Sequence, residues 1–248
     1  MNTFLPTVKN ECMKLFARKR TKVFILILAL LTVLLVVLQY TANSFLGFNI
    51  IQSDQLAKTI IELMFMFIVP LFTFILGVDS FASEKSQGTL KILLTSPVSR
   101  IKLYFSKLVA LTIANLLMVF SILIVAIIGS AFSASDAFFS GTIEAFITCI
   151  LVIIPLGLIS AWGLLIGQLF SNGSMAIGLG VLGLFLINVG QVFIDKLYVL
   201  SPLTYMDFYS PLMNSSIGIN FFMILLYMVA YYIILVSAGL LRLTTAES

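Results

Sequence analysis

Residues 23–40 read VFILILALLTVLLVVLQY, a stretch without a single charged side chain. At 1.5 Å per residue, a helix of this length nearly crosses the hydrocarbon core of a bilayer. Backbone N–H and C=O groups find no water in lipid, so a chain segment that spans it must bond them internally, as a helix does. The stretch therefore predicts a membrane-spanning helix, and similar apolar runs recur along the chain.

The whole chain has the composition of an integral membrane protein. Hydrophobic residues make up 61% of its 248 residues, charged residues make up only 10%, and the mean hydropathy is +1.17. Soluble domains carry about a quarter charged residues. The chain has no histidine, which removes most catalytic triads and zinc sites, and it has no P-loop motif. We therefore expect no enzyme activity, no metal and no cofactor.

Six apolar segments are long enough to cross a bilayer. They lie at residues 23–40, 60–78, 108–132, 143–170, 175–194 and 217–241. None alternates as a transmembrane β-strand would. The sequence thus predicts an all-α integral membrane protein with six transmembrane helices, forming one domain over residues 1–248. Pro155 is expected to kink the fourth span.

Lysine and arginine are distributed unevenly between the two sides of these spans. Six precede the first span, five lie between the second and third spans, and Arg242 follows the last. The connections on the other side share only Lys58 and Lys196. Lys and Arg accumulate in cytoplasmic segments. We therefore expect a multi-pass protein of the cell membrane in which both termini and the 84–107 loop are cytoplasmic.

Two flanking segments have patterns of their own. One face of a helix within residues 1–22 carries Phe4, Val8, Cys12 and Leu15. This spacing predicts an amphipathic interfacial helix, and plain flanking charge before the first span is the alternative. The segment 196–216 contains two prolines and several aromatic rings. Because amphipathic rings prefer the membrane interface, it predicts an outer interfacial or re-entrant element.

Small residues one helical turn apart let helices approach closely in lipid. The fifth span has two such pairs, Ser174 with Gly178 and Ala176 with Gly180. They predict a dimer contact through the fifth span, with the first span as a further contributor. The alternative is ordinary packing within the six-helix unit, which is the expectation for similar spacings in the fourth span.

Few ionisable residues fall inside the spans, and none lies at a midplane. A path for small ions would need such groups. We therefore expect an apolar or amphipathic substrate, such as a peptide, a lipid-like molecule or a drug-like molecule. Four uncharged polar residues lie deeper and are candidates for lining a path: Asn115, Ser121, Asn188 and Gln191. Hydrogen bonds between helices explain them equally well.

The most polar connection is EKSQGTLKILLTSPVSRIKLYFSK, residues 84–107. Gly88 is expected to end the helix that extends from the second span. Leu90, Leu93 and Leu94 then share one face of a short helix, and the following Ser-Pro step has the pattern of an N-cap and a first helical residue. An exposed apolar face indicates a partner. The alternative is that these leucines lie on the lipid surface.

Residues 84–100, EKSQGTLKILLTSPVSR, resemble the E-x-x-x-G-T-L-x-x-L-L-x-x-P-V-S-R signature of ABC-type permeases. The family is that of the type-2 exporter permeases, including its NosY-like branch. In that family this connection is the coupling helix, which docks in a cleft of the ATPase subunit. The resemblance implies an ATPase-coupling role for a set of loop residues: Glu84, Gly88, Thr89, Leu90, Leu93, Leu94, Pro97 and Arg100.

The resemblance further implies the transmembrane permease subunit of an ATP-driven ABC exporter. The expected partners are a separate ABC ATPase subunit, which would hydrolyse the ATP, the lipid bilayer, and a second permease that is identical or paralogous. Nucleic acid is not an expected partner. The alternative function is a membrane sensor or immunity scaffold that binds a partner without transport.

Overall fold

The computed structural model of the protein describes residues 4–46, 56–89, 99–132, 138–170, 172–194, 199–213 and 218–245. These residues form α-helices, 3₁₀-helical segments and short connections, and none of them belongs to a β-strand. The all-α prediction is confirmed for this part of the chain.

The helices follow one another with short connections. In chain order they are α1 (Phe4–Ala17), α2 (Lys19–Leu46), α3 (Leu56–Met66), α4 (Ile68–Ser86), α5 (Arg100–Ala131), α6 (Phe138–Leu151), α7 (Ile153–Leu169), α8 (Gly173–Gly190), the 3₁₀ helix (Pro202–Asp207), α9 (Ser210–Met213) and α10 (Ile219–Thr245).

Five segments of the described chain are long and apolar enough to cross a membrane singly. They are Lys19–Thr41, Arg100–Ala131, Phe138–Leu169, Gly173–Gly190 and Phe221–Thr245. The remaining predicted span, 60–78, falls on α3 and α4, which pass the same test only as a pair and meet at an angle of 42°. The helix in the predicted second span is therefore broken at Phe67, and the six-span count depends on taking α3 and α4 as one span.

Both breaks in the long apolar helices lie three residues before a proline. Phe67 separates α3 from α4 ahead of Pro70, and Val152 separates α6 from α7 ahead of Pro155. Proline has no N–H to donate to the carbonyl four residues earlier, and its ring clashes with that carbonyl. The expected kink at Pro155 thus appears as an interruption at Val152, and Pro70 explains the sharper bend.

The centre of the fold is the contact between α4 and α7, which is made by glycines. A Cβ on Gly77 would lie 3.0 Å from the Gly163 Cα, and a Cβ on Gly163 would lie 2.7 Å from the Phe74 carbonyl oxygen. A Cβ on Gly167 would lie closer still to the Val78 carbonyl oxygen. Small residues of the fourth predicted span therefore serve packing within the chain, as expected, and bring the two backbones into contact.

A buried polar link joins α5 to this central pair. The Asn115 amide donates a hydrogen bond to Ser160 Oγ on α7 at 3.1 Å, and Thr73 on α4 donates to Asn115 Oδ1 at 3.0 Å. All three side chains are buried. Because unsatisfied polar groups are costly in an apolar interior, the three hydrogen bonding groups fix these helices in register.

Helix α1 packs along the first turns of α5. Leu15 is buried and Phe4, Val8 and Cys12 are half-buried, so the predicted apolar face does point towards the protein. Glu11 is buried on the same face. By contrast, α2 presents Leu26, Leu30 and Leu34 on the outside, each more than half exposed, as suits a lipid-facing helix.

Candidate functional site

The charged residues concentrate at one end of the helical bundle. This end, called the basic end below, contains α1, the first turns of α2, α5 and α8, and the last turns of α4, α7 and α10. The loop whose residues 90–98 lie outside the described residues leaves α4 and enters α5 at this end. The charges here therefore surround the base of the segment that carries the sequence signature.

Lys107, on the second turn of α5, is the centre of the basic end. Its side chain is fully buried, and its ammonium lies 2.7 Å from Glu11 Oε2 on α1 and 2.9 Å from Glu84 Oε2 on α4. It also donates to the Ser80 carbonyl at 3.2 Å and lies 5.0 Å from the centre of the Phe81 ring. One lysine thus connects three helices.

Lys14 completes this group. Its ammonium lies 2.7 Å from Glu11 Oε1 and 3.2 Å from Glu84 Oε1. The buried charge cluster is defined here as Glu11, Lys14, Glu84 and Lys107, in which two carboxylates and two ammonium groups balance. Removing one partner of a buried ion pair leaves an uncompensated charge and costs about 3–5 kcal/mol.

Burial and the neighbouring charges act in opposite directions on the two α1 members. Burial by itself would raise the pKa of Glu11, but attraction and hydrogen bonds from Lys107 and Lys14 lower that pKa below its ordinary value. Burial would lower the pKa of Lys14, and its contacts with Glu11 and Glu84 instead raise it. Both groups are therefore charged across the whole neutral range.

A second set of ion pairs fastens the junction between α1 and α2. Arg18 Nη1 lies 2.9 Å from Asp79 Oδ2 and donates to the Asp79 carbonyl at 2.9 Å. Arg20 Nη1 lies 2.9 Å from Asp79 Oδ1. The Asp79 carboxylate on α4 therefore holds both arginines, with one oxygen for each.

Cations on α4 and α5 also bind the ends of α7 and α10. Lys85 donates to the Gln168 carbonyl of α7 at 2.8 Å. Arg100, the first residue of α5, donates to the Leu243 and Thr244 carbonyls of α10 at 3.2 and 2.9 Å. Cations are favourable at helix C-termini, where the carbonyls carry partial negative charge. The helix on each side of the 90–98 loop is thus tied to several neighbours.

A cleft of about 610 Å³ opens at the opposite end of the bundle. It lies between α3 and the 199–213 segment, and its lining combines apolar residues such as Phe65 and Met206 with the carboxyls of Glu62 and Asp207. Lys58, also in the lining, lies 2.8 Å from Glu144. Burial raises the pKa of Asp207. The cleft therefore offers apolar contact together with negative charge.

Sequence reasoning missed the buried charge cluster. The signal was present in one place: Glu11 lies on the same helical face as Val8 and Leu15, where a charge conflicts with an amphipathic pattern. Lys107 and Asp79 gave no such signal, because their positions at the ends of spans are typical of flanking charges.

A family model described as "ABC-2 family transporter protein" matches residues 7–190, more than half of the chain. The chain belongs to the ABC-2 family of transporter proteins. Members of this family are generally non-catalytic membrane components that work with an ATPase in a partner subunit. The chain is accordingly a multi-pass membrane protein of this family. A comparison with curated proteins found no match.

The ABC-2 coupling residues predicted from sequence fall partly within the described chain. Helix α4 ends at Ser86, and Gly88 has a φ of 70°, a conformation that favours glycine. Thr89 donates to the Glu84 carbonyl at 3.2 Å. The predicted docking residues Leu90, Leu93, Leu94 and Pro97 lie outside the described residues, as does Ser96.

Two predictions concern the residues that border the 90–98 loop. The resemblance implies an ATPase-coupling role for Glu84, but its side chain is buried and pairs with Lys107 and Lys14 of its own chain. Helix α5 begins at Arg100, and its N-cap is Ser99, whose hydroxyl accepts from the Lys102 N–H at 3.4 Å. The prediction that the Ser96-Pro97 step starts this helix is therefore wrong, because Ser99 has an extended backbone.

The small residues predicted for ABC-2 dimer packing lie on two faces of α8. Ser174 and Gly178 are exposed, and no atom lies within 4 Å of a Cβ built on Gly178. Ala176 and Gly180 are buried within the chain, and a Cβ on Gly180 would lie 2.6 Å from the Phe74 ring. The internal-packing alternative therefore describes Ala176 and Gly180.

The four candidate pathway residues do not converge. Asn115 is buried among three helices, and Ser121 donates to the Met118 carbonyl of its own helix at 2.7 Å. Gln191 donates weakly to Asn188 at 3.5 Å and accepts from Thr204 at 3.1 Å near the outer segment. The structure brings Asn188 and Gln191 together and leaves the other two apart.

Proposed function

We propose that this chain is the transmembrane permease subunit of an ATP-driven ABC exporter, of the NosY-like branch. It moves an apolar or amphipathic substrate outward across the cell membrane. In this proposal α3 and α4 form one bent span, which gives six spans in all. The family match supports the permease role, and the sequence signature in 84–100 supports the finer assignment.

The proposed orientation has the basic end in the cytoplasm. Within the described chain this end carries all Lys and Arg residues except Lys58. Such an excess is typical of cytoplasmic segments. Both termini are then cytoplasmic, α1 lies at the inner membrane surface, and the cleft beside Glu62 opens outward.

One observation carries the coupling role: the buried charge cluster joins the two helices that border the 90–98 loop. Glu84 lies two residues before the end of α4, and Lys107 lies on the second turn of α5. Their contact fixes the base of the loop, and Glu11 extends that contact to α1. A displacement of the loop by a partner would therefore move α1, α4 and α5 together, because packed elements shift as units.

The partners in this proposal are a separate ABC ATPase, which docks on the loop, and a second permease that is identical or paralogous. The proposed dimer contact is narrowed to the exposed face of α8 with Ser174 and Gly178, since Ala176 and Gly180 are covered by the chain itself. Helix α2, which contains the first predicted span, remains a candidate for a further part of this contact.

The outer cleft supports an amphipathic substrate. Its lining brings aromatic and aliphatic side chains beside the Glu62 and Asp207 carboxyls. An apolar ligand part would gain from burial, while a polar or cationic part would lie near the carboxyls. In this proposal Asn188 and Gln191, which lie at the same end, line the outer part of the route, whereas Asn115 and Ser121 contribute only if the helices separate during transport.

The test is capture of the ATPase by tagged permease, combined with ATP turnover of the complex. Leu93→Asp introduces a carboxylate on the apolar face that the sequence predicts for the loop, and Lys91→Asp introduces one off that predicted face. We expect Leu93→Asp to abolish capture and Lys91→Asp to retain it, with both proteins inserted in the membrane. Normal capture and turnover with Leu93→Asp contradict the coupling role. If wild-type permease captures the ATPase but the complex shows no ATP turnover linked to transport, the result favours the alternative function, a sensor or immunity scaffold.

A further inference from the structure

A second cleft, of about 440 Å³, lies at the basic end of the bundle. Three elements form it: the junction of α1 and α2, the last two turns of α4, and the first turn of α8. Its polar lining includes Arg18, Lys19, Arg20, Ser83, Ser86 and Ser174. Neither the family match nor the coupling role assigns a purpose to this basic cleft.

The basic cleft has an excess of positive charge. Three cations line it, and Asp79 is the one carboxylate among its lining residues. Asp79 binds one nitrogen of each arginine, and a guanidinium has five N–H donors, so donors remain on both. Lys19 is exposed and has no ion pair within the described part of the chain. The Asp79 pairs thus hold two arginines in place without neutralising the cleft.

The start of α8 adds neutral donors to these charges. The Asn172 side chain accepts from the Ser174 N–H at 3.1 Å, and the other N–H groups of the first turn have no carbonyl partner within the helix. The positive end of the helix dipole also favours an anion at this position. Cations, hydroxyls and helix N–H groups together form the donor set that binds a phosphate.

The position of the basic cleft relates it to the membrane. It lies where α2 and α8 begin and α4 ends, and each belongs to a segment that can span a bilayer. Further along α4, Phe72 stacks on Phe24 of α2 with ring centres 4.3 Å apart. Leu71 of α4 lines an apolar crevice with Val181 of α8. Apolar side chains of α2, α4 and α8 therefore lie in these three segments beyond the cleft.

We propose that the basic cleft binds a phosphate group at the membrane surface. The phosphate chemistry fits both a soluble phosphate and an anionic phospholipid headgroup, and the position of the cleft at the ends of three segments that can span a bilayer favours the phospholipid. The assignment of the basic cleft to the inner leaflet rests on the orientation given in the proposed function, whereas the binding of a phosphate group does not depend on that orientation. A bound headgroup would bridge the α1–α2 junction to α8 and so reinforce the contacts that Asp79 makes.

The test measures lipid retention by the purified full-length protein in detergent. Phosphatidylglycerol is compared with phosphatidylcholine of the same acyl chains, by native mass spectrometry. Lys19→Gln removes one cation from the cleft, and Lys9→Gln is the matched control, an exposed lysine of α1 outside the cleft. A Lys near an anionic headgroup contributes about fivefold in affinity. We expect Lys19→Gln to weaken phosphatidylglycerol binding by about that factor and Lys9→Gln to leave it unchanged.

Two further arms identify the source of the phosphate. Inorganic phosphate at millimolar concentration is added as a competitor, and the salt concentration is raised. Displacement of phosphatidylglycerol only by salt assigns the site to the lipid, while displacement by inorganic phosphate keeps the phosphate site and assigns it to a soluble ligand. Equal retention of the two lipids by wild type, or equal losses with Lys19→Gln and Lys9→Gln, overturns the proposal. ATPase capture is independent of these readouts, so either proposal can fail alone.

Discussion

The two ends of the bundle each contain a lysine–glutamate pair, but in different surroundings. At the basic end, Lys107 and Glu84 are 2.9 Å apart, with side chains 0% and 6% exposed. At the opposite end, Lys58 and Glu144 are 2.8 Å apart, with side chains 17% and 43% exposed. The distances are nearly equal, so burial decides how much each pair matters. Charge at the basic end holds helices together, whereas charge at the opposite end stays accessible to a ligand.

The largest expected effect is that of Lys107→Met. This change keeps an apolar side chain of similar length but leaves Glu11 and Glu84 with Lys14 as their remaining cation in the cluster. We expect the free energy of unfolding, measured by denaturant titration in mixed micelles, to fall by about 3–5 kcal/mol. Lys22→Met removes an exposed lysine of α2 and serves as the control, with a change within about 0.5 kcal/mol. Equal losses for the two variants contradict the role given to the buried charge cluster.

Acid titration compares a carboxyl from each end. Glu11 has a lowered pKa, so its stabilising contribution is present above the ordinary value of 4.5 and is lost as pH falls through the lowered pKa. Asp207 has a raised pKa, so its protonation on acidification favours the folded state. In Glu11→Gln, the free energy of unfolding should therefore fall less steeply than in the wild type as the pH is lowered. In Asp207→Asn the decline should become slightly steeper, because a favourable protonation has been removed. Identical pH profiles for the wild type, Glu11→Gln and Asp207→Asn would contradict the opposite effects expected for the two carboxyls.

Burial should also decide the effect of uncharged substitutions on α8. Gly180→Leu places a side chain against the buried Phe74 ring, and overpacking costs about 1–3 kcal/mol. Gly178→Leu, two residues earlier, enters open space and should change stability by less than about 0.5 kcal/mol. If the exposed face of α8 forms the dimer contact, Gly178→Leu reduces crosslinking between permeases in membranes. Unchanged crosslinking assigns the contact to another surface.

A small effect is also expected for Lys58→Met at the opposite end. Its pair with Glu144 is partly exposed, and such pairs contribute about 0–1 kcal/mol. Its loss should lower the free energy of unfolding by no more than this amount in the same micelle titration. A loss as large as that of Lys107→Met would remove the difference between the two ends.

The amino-acid sequence predicted the helices well because the membrane imposes a simple rule on their length and composition. Apolar runs located the five single spans, and the positions of Lys and Arg located the basic end. The break at Phe67 was missed although Pro70 lies three residues later, because the apolar run continues through it. Hydropathy predicts which residues lie in lipid, and it does not distinguish a bent helix from a straight one.

The candidate site was harder to predict because its contacts are distant in sequence. Lys107 pairs with Glu11, 96 residues away, and neither periodicity nor charge patterning relates such positions. The buried and exposed faces of α8 could not be predicted from the sequence for the same reason. A period of 3.6 residues places Gly178 and Gly180 on different sides, but only the packed structure shows which side is covered by Phe74.

If the buried charge cluster transmits motion between the loop and α1, a change in the cluster should alter the ATP turnover of the assembled complex. Glu84→Gln keeps the size of the side chain and leaves the Lys107–Glu11 pair in place, so the permease should fold and still capture the ATPase through its intact loop. We expect wild-type permease to change the turnover of the bound ATPase, and the rate with Glu84→Gln to return towards that of the isolated ATPase. Turnover of the Glu84→Gln complex equal to that of the wild-type complex, with equal capture, would show that the buried charge cluster does not transmit this motion.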